Sequence, residues 1–267
     1  MSCRSSWNTG PWRKTEPVEP TEWFADETFW EAFAPFMFDD TRWMLAETEV
    51  EGICRLTGIE APAEVLDLCC GVGRHSLVFA RKGFRVTGVD ITASYLEAAR
   101  ESAMAEGLEL TLIHADARRF AQPGSFALCV NLGASFGYFS DPNEDLALLR
   151  RCRKNLAPRG FLVLETIGKE TAARSFVPEE YIVRDGWEVR AQYSIVGEWE
   201  KLGNRWTARK DGTTIERQFE IRLYSALELR MLLSRAGFGN IRIFGNLAGS
   251  PYDQDADMLV ATAQVQG

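Results

Sequence analysis

Residues 64–75, Glu-Val-Leu-Asp-Leu-Cys-Cys-Gly-Val-Gly-Arg-His, decide how the rest of the chain is read. An apolar run of strand length ends in a loop with glycine at 71 and 73, and 74–81 continues at helical period until Gly83 can close it. A strand, a glycine loop and a helix in that order aim the free amide groups of the helix N-terminus at whatever sits above the strand end. The glycines let a ligand approach the backbone with no Cβ in the way. Asp90 ends the next apolar run, FRVTGVD (84–90). A carboxylate at the end of that second strand can accept both hydroxyls of a ribose.

Working outward, the same alternation continues. ELTLIHAD (109–116) and FALCVNL (126–132) read as the third and fourth strands, a helix follows over 144–156, Pro158 and Gly160 make a turn, and FLVLET (161–166) is the fifth strand. Thr92 is placed to cap a helix running to Ala105. Such crossovers put helices on both faces of a parallel sheet, and ligands then bind at the carboxyl ends of the strands. After Thr166 the period changes to two: Trp187, Val189, Ala191, Tyr193 and Ile195 alternate with polar residues. Gly203-Asn204 and Asp211-Gly212 supply hairpin turns before a strand over 213–223. Ser225 with Glu228 forms a capping box opening a helix through Arg235, Gly237 stops it, and strands over 240–244 and 258–262 finish the chain. The expected fold is α/β, a Rossmann-like seven-stranded mixed sheet with an N-terminal helical arm and an inserted antiparallel β-meander. Its expected divisions are 1–60 (arm and helical lid), 61–166 (ligand-binding core), 167–223 (meander, a substrate cap) and 224–267 (last helix and strands).

Composition narrows the function classes. The 267 residues carry 30 Lys plus Arg against 38 Asp plus Glu, a net charge of -8, with 46% apolar and 25% charged residues. Those are globular values that exclude wholesale disorder and collagen-like structure. An acidic balance argues against nucleic acid, which calls for clustered cations. The charge is uneven, with twelve acids and five bases in the first 60 residues, a pattern compatible with a cationic amine acceptor. No export signal is legible at the start, and the longest uncharged run, 120–140, contains Pro123, Asn131 and glycines, so it reads as loop, strand, loop. A cytoplasmic protein with no membrane span is expected. There is no CxxC and there are only two histidines, so free thiols and no metal site are expected of the 6 cysteines. Five of the 8 tryptophans (Trp7, Trp12, Trp23, Trp30, Trp43) lie in the arm and three (Trp187, Trp199, Trp206) in the meander. The two segments are therefore expected to pack together over the strand ends, either as a ligand pocket or as ordinary core.

EVLDLCCGVGRH, VTGVD (86–90), HADARRF (114–120) and FALCVNLGASFGYF (126–139) together resemble the successive motifs of the class I S-adenosylmethionine-dependent methyltransferases, and 222–238 looks like that family's last helix. The resemblance covers residues 64–166. It implies S-adenosylmethionine as cofactor, with Asp67 and the Gly71 to Gly73 backbone on its methionine part, Asp90 and Ile91 at the ribose, Asp116 and Ala117 at the adenine, and Asn131 and Leu132 on the methyl-donor side. A nicotinamide dehydrogenase shares the glycine loop and terminal acid, but Ser76 replaces its third glycine, and neither Asp67 nor Asp116 has a place there. The family's Asn/Asp-Pro-Pro-Tyr/Phe and Pro-Cys motifs for nucleic-acid substrates are missing, as is the paired-Glu loop of arginine methyltransferases. GASFGYF (133–139) resembles the acceptor-facing loop of small-molecule N- and O-methyltransferases. That implies Ser135 and Tyr138 as substrate contacts, with Trp30 and Phe36 of the arm beside them, and Tyr138 and Glu165 as candidate catalytic groups if positioning alone does not suffice. His75 and His114 are expected to shape the cofactor pocket, and Arg118 and Arg119 to pair with arm acids, meet an anionic substrate or stay solvated. The competing reading is a catalytically idle S-adenosylmethionine-binding or partner-regulating protein.

Overall fold

The computed structural model describes residues 22–266, so Trp7, Trp12 and the beginning of the expected arm lie outside the described residues. A 3-10 turn over Trp23–Ala25 leads into α1 (Glu27–Met37), whose N-cap Asp26 accepts from the Phe29 amide, and α2 (Asp40–Thr57), capped likewise by Asp39. Then come β1 (Glu64–Leu68), α3 (Arg74–Arg81), β2 (Arg85–Asp90), α4 (Ala93–Glu106), β3 (Leu110–His114), β4 (Phe126–Asn131), α5 (Pro142–Asn155) and β5 (Leu156–Thr166). A short α6 (Lys169–Arg174) precedes the meander strands β6 (Glu179–Arg184), β7 (Trp187–Val196), β8 (Lys201–Lys210) and β9 (Thr213–Arg222). Helix α7 (Ala226–Arg235), β10 (Phe238–Phe244) and β11 (Leu259–Val265) complete the fold.

The seven-stranded sheet runs β3-β2-β1-β4-β5-β11-β10. Its first five strands are parallel, β11 runs against β5, and β10 runs against β11. Period-two alternation divides the strand side chains between two apolar layers. Val65, Leu128, Val130 and Val163 pack with Val50 and Ile53 of α2 and with α3, while Leu66, Cys129, Leu162 and Leu164 pack with α5 and α7. Helix α2 is thus part of the layer covering one face of the sheet. Chain direction along the sheet reverses between β1 and β4, which sets the loops after these strands side by side at the crevice.

The meander is a separate four-stranded antiparallel sheet, β6-β7-β8-β9. Two sequence expectations change here. Gly203-Asn204 is no turn: both residues lie inside β8, paired with Ser194 and Tyr193 of β7. The hairpin turns at residues 197–200 instead, where Gly197, Glu198 and Trp199 take left-handed φ of 53°, 49° and 69°. Gly203 is needed within the strand because the Ser194 hydroxyl lies 2.6 Å from where a Cβ would stand. Strand β6, hinged to β7 at Asp185-Gly186, and helix α6 are elements the periodicity did not suggest. The expected turn at Pro158 and Gly160 is drawn into β5 as an irregular entry, with Arg159 left-handed (φ 63°) and the register slipping beside it.

Helix α1 lies on the inner face of this second sheet. Phe29, Ala32 and Phe33 are buried against Val189, Ala208, Phe219 and Ile221, with Trp23, Trp187 and Trp206 packed around them. The tryptophan-bearing segments do meet, and they meet over the carboxyl ends of the parallel strands.

Candidate functional site

Between β1 and α3 the backbone turns through left-handed conformations at Cys69 (φ 61°), Gly71 (φ 55°) and Gly73 (φ 78°). The turn is tied to the end of β2: the Cys70 amide donates to Val89 O at 3.1 Å and the Gly71 amide to Asp90 Oδ2 at 2.8 Å. A Cβ at Gly73 would stand 2.8 Å from that of Ala99, so this glycine lets α3 and α4 approach. A Cβ at Gly71 would meet the Phe38 ring at 3.2 Å. The link between α1 and α2 therefore roofs the glycine loop.

A cavity of about 350 Å³, within the range of small-molecule sites, opens beside this loop. Asp67, Gly71, Asp90, Ile91, Asp116, Ala117 and Leu132 of the expected cofactor set line it, as do Ser135, Tyr138, Trp30 and Phe36 of the expected substrate set. Gly73, Asn131 and Glu165 do not. Asn131 is buried in the sheet and donates to Leu68 O at 3.0 Å, fixing the ends of β1 and β4 relative to each other. Glu165 accepts from the Gly133 amide at 3.0 Å, and burial pushes its carboxyl up. It braces the loop that carries Ser135 and Tyr138. His75 lines the cavity, whereas His114 contacts Ile91 O from an exposed position.

The three strand-end carboxylates differ in how free they are. Asp90 accepts one amide on each oxygen, from Gly71 and from Thr92 at 2.9 Å, and the Thr92 hydroxyl bonds to the same carboxylate; burial raises its pKa. Asp67 is buried, takes the Ser76 hydroxyl at 2.6 Å, and is likewise pushed up by burial. Asp116 is only partly buried. Burial alone would raise its pKa, but the Arg118 guanidinium and amide hold it low, and Arg118 spans both of its oxygens. The backbone beside it is engaged as well: the Ala115 amide donates to Asp90 O at 2.9 Å and Asp116 O accepts from the Arg119 amide at 2.8 Å.

The acceptor half has aromatic walls. Tyr138 sits 4.6 Å from Trp23, ring to ring, and Trp30 donates from its indole to Phe24 O at 2.7 Å. Burial pushes the Tyr138 phenol up, so at neutral pH its hydroxyl can orient a ligand but does not act as a base. The meander contributes Glu180, Tyr193, Asn204 and Trp206, and Arg42 and Tyr95 also line the cavity. Sequence reading missed Tyr193 and Asn204 as cavity residues. The signal was present in the alternation of Leu202, Asn204 and Trp206, but reading Gly203-Asn204 as a turn concealed it. Among the described residues no group of His, Cys, Asp and Glu could hold a metal ion, and no helix is long and apolar enough to cross a membrane.

Residues 65–160 match the family model described as a methyltransferase domain. A ubiquinone biosynthesis O-methyltransferase from Caulobacter sp. (strain K31) is 32% identical over 123 residues, covering 45% of this chain and 48% of that protein. The chain spans about half the length of the curated relatives it matches, 48% to 52% for the first three. An S-adenosylmethionine-dependent methyltransferase from Clostridium acetobutylicum ATCC 824 superposes with TM-score 0.72 at 14% identity, over 90% of this chain and 97% of its own. An amino pentose methyltransferase from Micromonospora echinaspora, solved with S-adenosylmethionine bound, gives TM-score 0.63 at 19% identity, over 94% and 99%. At these identities the structural likeness establishes the fold, including the appended four-stranded sheet, over most of the chain.

Proposed function

We propose that this chain, which has the class I methyltransferase fold and carries a methyltransferase domain over residues 65–160, transfers a methyl group from S-adenosylmethionine to a nitrogen or oxygen of a small molecule. The observation that carries the reading is a single cavity with two differently built halves. One is floored by the glycine loop and by Asp67 and Asp90, the other is walled by Trp30, Phe36, Tyr138 and Trp206. The cofactor fits the first half. Asp90 lines the cavity with acceptor capacity left on its carboxylate for a ribose hydroxyl, the Gly71 backbone has no Cβ to obstruct a ligand, and buried Asp67 stands where an ammonium group would relieve the cost of its charge.

When bound, S-adenosylmethionine supplies an electrophilic methyl on a sulfonium. The protein's part is geometric. Ser135 and Tyr138, held by a loop braced on Glu165, face the acceptor half, and the aromatic walls exclude water and restrict how a flat or ring-shaped acceptor can lie. Tyr138 keeps its proton, and Glu165 braces the Gly133 amide without lining the cavity, so alignment of two ligands, rather than proton abstraction by either candidate, supplies the acceleration. The cytoplasm is the setting we assign to it, where thiols such as buried Cys70, Cys129 and Cys152 are kept reduced.

Calorimetric titration with S-adenosylhomocysteine, followed by a metabolite-pool screen for its release from S-adenosylmethionine, tests the reading. Asp90→Ala should abolish binding while leaving the melting curve cooperative, and unchanged affinity would remove the site assignment. Binding with no turnover in any pool, including panels of amines and carboxylates, would favour the idle, partner-regulating alternative.

A further inference from the structure

The loop bearing Ser135 and Tyr138 hangs between two elements that are distant in sequence. On one side stands Asp145, in the first turn of α5, fully buried at 0% exposure. It accepts the Tyr224 hydroxyl at 2.7 Å, the Gly137 amide lies close enough to favour its charge, and the Arg222 Nε lies 3.7 Å from it. On the other side Arg222, at the end of β9, donates its backbone amide to Gly137 O at 2.7 Å and its Nη2 to Ser140 O at 3.0 Å. Its Nη1 reaches Glu200 in the β7–β8 turn at 2.6 Å. Gly137 takes φ 90°, and a Cβ there would stand 3.3 Å from the Arg222 carbonyl carbon and closer still to its oxygen. Residues 137–140 are thus gripped from both sides, directly beside Tyr138.

We propose that Asp145, Arg222 and Tyr224 are positioning residues for methyl transfer: they fix the acceptor loop between α5 and the meander so that Tyr138 stays against the Trp23 and Trp30 wall. The proposal rests on the methyltransferase reading of the cavity. A buried carboxylate and guanidinium cost more to desolvate than apolar side chains of the same size, so their presence calls for a use, and fixing one register among elements is the best attested. Here the register joins the core, the acceptor loop and the cap. A second cavity of about 330 Å³, lined by Arg222, Tyr224, Glu200 and Lys169, reaches the far side of the group and gives solvent a route to it.

Burial pushes the Asp145 carboxyl up to about 6 against the help of Tyr224, Arg222 and the Gly137 amide. Its charged surroundings are Glu144 on its own helix, Arg222 and Tyr224 from the β9 end, Glu200 behind Arg222, and Glu228 of α7 beside Tyr224. The charged clamp therefore exists above pH 6 and is lost as pH falls through it. The linkage to global stability has the opposite sign. A carboxyl raised in the folded state adds stability that is fully present below its unfolded value of 3.8 and lost as pH rises through about 6. Acid loosening of the loop through Asp145 is therefore separable from melting.

The test compares wild type, Asp145→Asn and Tyr224→Phe by amide exchange over residues 133–140, S-adenosylhomocysteine titration, and the pH profile of acceptor turnover. Asp145→Asn should speed exchange in that loop by about tenfold or more while exchange in β1 and β4 stays slow. It should keep S-adenosylhomocysteine affinity within about twofold, because Asp145 does not line the cavity that would hold the cofactor. Wild-type kcat/KM should fall as pH drops through about 6. Tyr224→Phe, which removes one donor to the carboxylate, should move that step upward, and Asp145→Asn should abolish it. Unchanged exchange in the loop, acceleration spread evenly over the whole sheet, or the same pH step in Asp145→Asn would each overturn the proposal. Exchange and titration need no acceptor, so a failure to find turnover would count against the methyltransferase reading and leave the clamp to be decided by the exchange data.

Discussion

Gly52 is buried in the middle of α2, where helix propensity alone favours alanine by about 1 kcal/mol. The structure predicts the opposite outcome for Gly52→Ala. A Cβ built there would stand 2.8 Å from the Leu247 carbonyl carbon and 3.3 Å from Ala248 Cα, and closer still to Leu247 O. All three are backbone atoms of the β10–β11 connection, and Leu247 itself is 3% exposed within the core that contains Val50 and Ile53. Nothing at the contact can rotate away, so the helix and the connection must separate. Overpacking of this kind costs about 1–3 kcal/mol, and a clash with backbone belongs at the upper end, so the propensity gain leaves a net loss of roughly 2 kcal/mol. At about 2–4 °C per kcal/mol for a chain of this size, the melting temperature should fall by roughly 4–8 °C. Gly58→Ala separates packing from backbone effects. It caps the same helix at φ 69° with nothing within 4 Å of its Cβ, so it should lose only the left-handed penalty of about 1–2 kcal/mol. Thermal denaturation followed by circular dichroism measures both. A Gly52→Ala protein as stable as wild type, or more so, would refute the close approach of α2 to residues 247–248.

Two further substitutions probe the arm and the cap. Glu49 of α2 takes Arg74 at 2.6 Å and His75 at 2.7 Å; burial pushes its carboxyl up, but the hydrogen bonds and charges of these two partners carry it below the ordinary value. Glu49→Gln should therefore cost about 2 kcal/mol at neutral pH, a difference fully present above pH 4.5 and shrinking as pH falls through the depressed value, as urea titrations at several pH values would register. Asn204→Leu removes a 2%-exposed amide that donates to Leu202 O at 2.9 Å, so it should cost about 1 kcal/mol of stability while increasing the acceptor KM about tenfold or more. An unchanged KM would show that Asn204 does not touch the acceptor.

How much was legible follows from what kind of signal each feature leaves. Four of the parallel strands, β1, β2, β4 and β5, are largely buried and read as apolar runs, the edge strand β3 continues the alternation, and the glycine loop is punctuated by left-handed positions, so β1 to β5 and the carboxylate-bearing strand ends could be located from sequence. The meander left weaker marks. Its exposed edge strand β6 has almost no buried residue to set a period, and its β7–β8 turn uses Glu198 and Trp199 at positive φ, residue types that carry no turn signal, while the conspicuous Gly-Asn pair lies in mid-strand. Asp145 could not be singled out at all. In sequence it is one of several acids opening a helix, and only tertiary packing sets it against Arg222 and Tyr224, 77 and 79 residues away.

The acidity of the first 60 residues acquires a different meaning from the one its total suggests. Glu22 pairs with Arg118, Asp26 with Arg217, Glu47 and Glu51 with Lys82, and Glu49 with Arg74 and His75, while Glu27 accepts the Ala93 and Ser94 amides at the N-terminus of α4. These carboxylates are engaged on the core and the cap, so they offer a cationic acceptor little free charge. Glu49 apart, the exposed pairs do not hold the arm down by strength either. Glu47 and Glu51 are 52% and 51% exposed, and pairs of that kind contribute about 0–1 kcal/mol. Burying Phe29 and Phe33 at 1% and 0% exposure contributes roughly 1.5–3 kcal/mol each, with no loss in salt. The aromatic cluster supplies the adhesion. The charges, spaced along α1 and α2 to meet one partner after another, determine where the arm settles, and that placement brings Phe38 over Gly71 and Trp30 beside Tyr138.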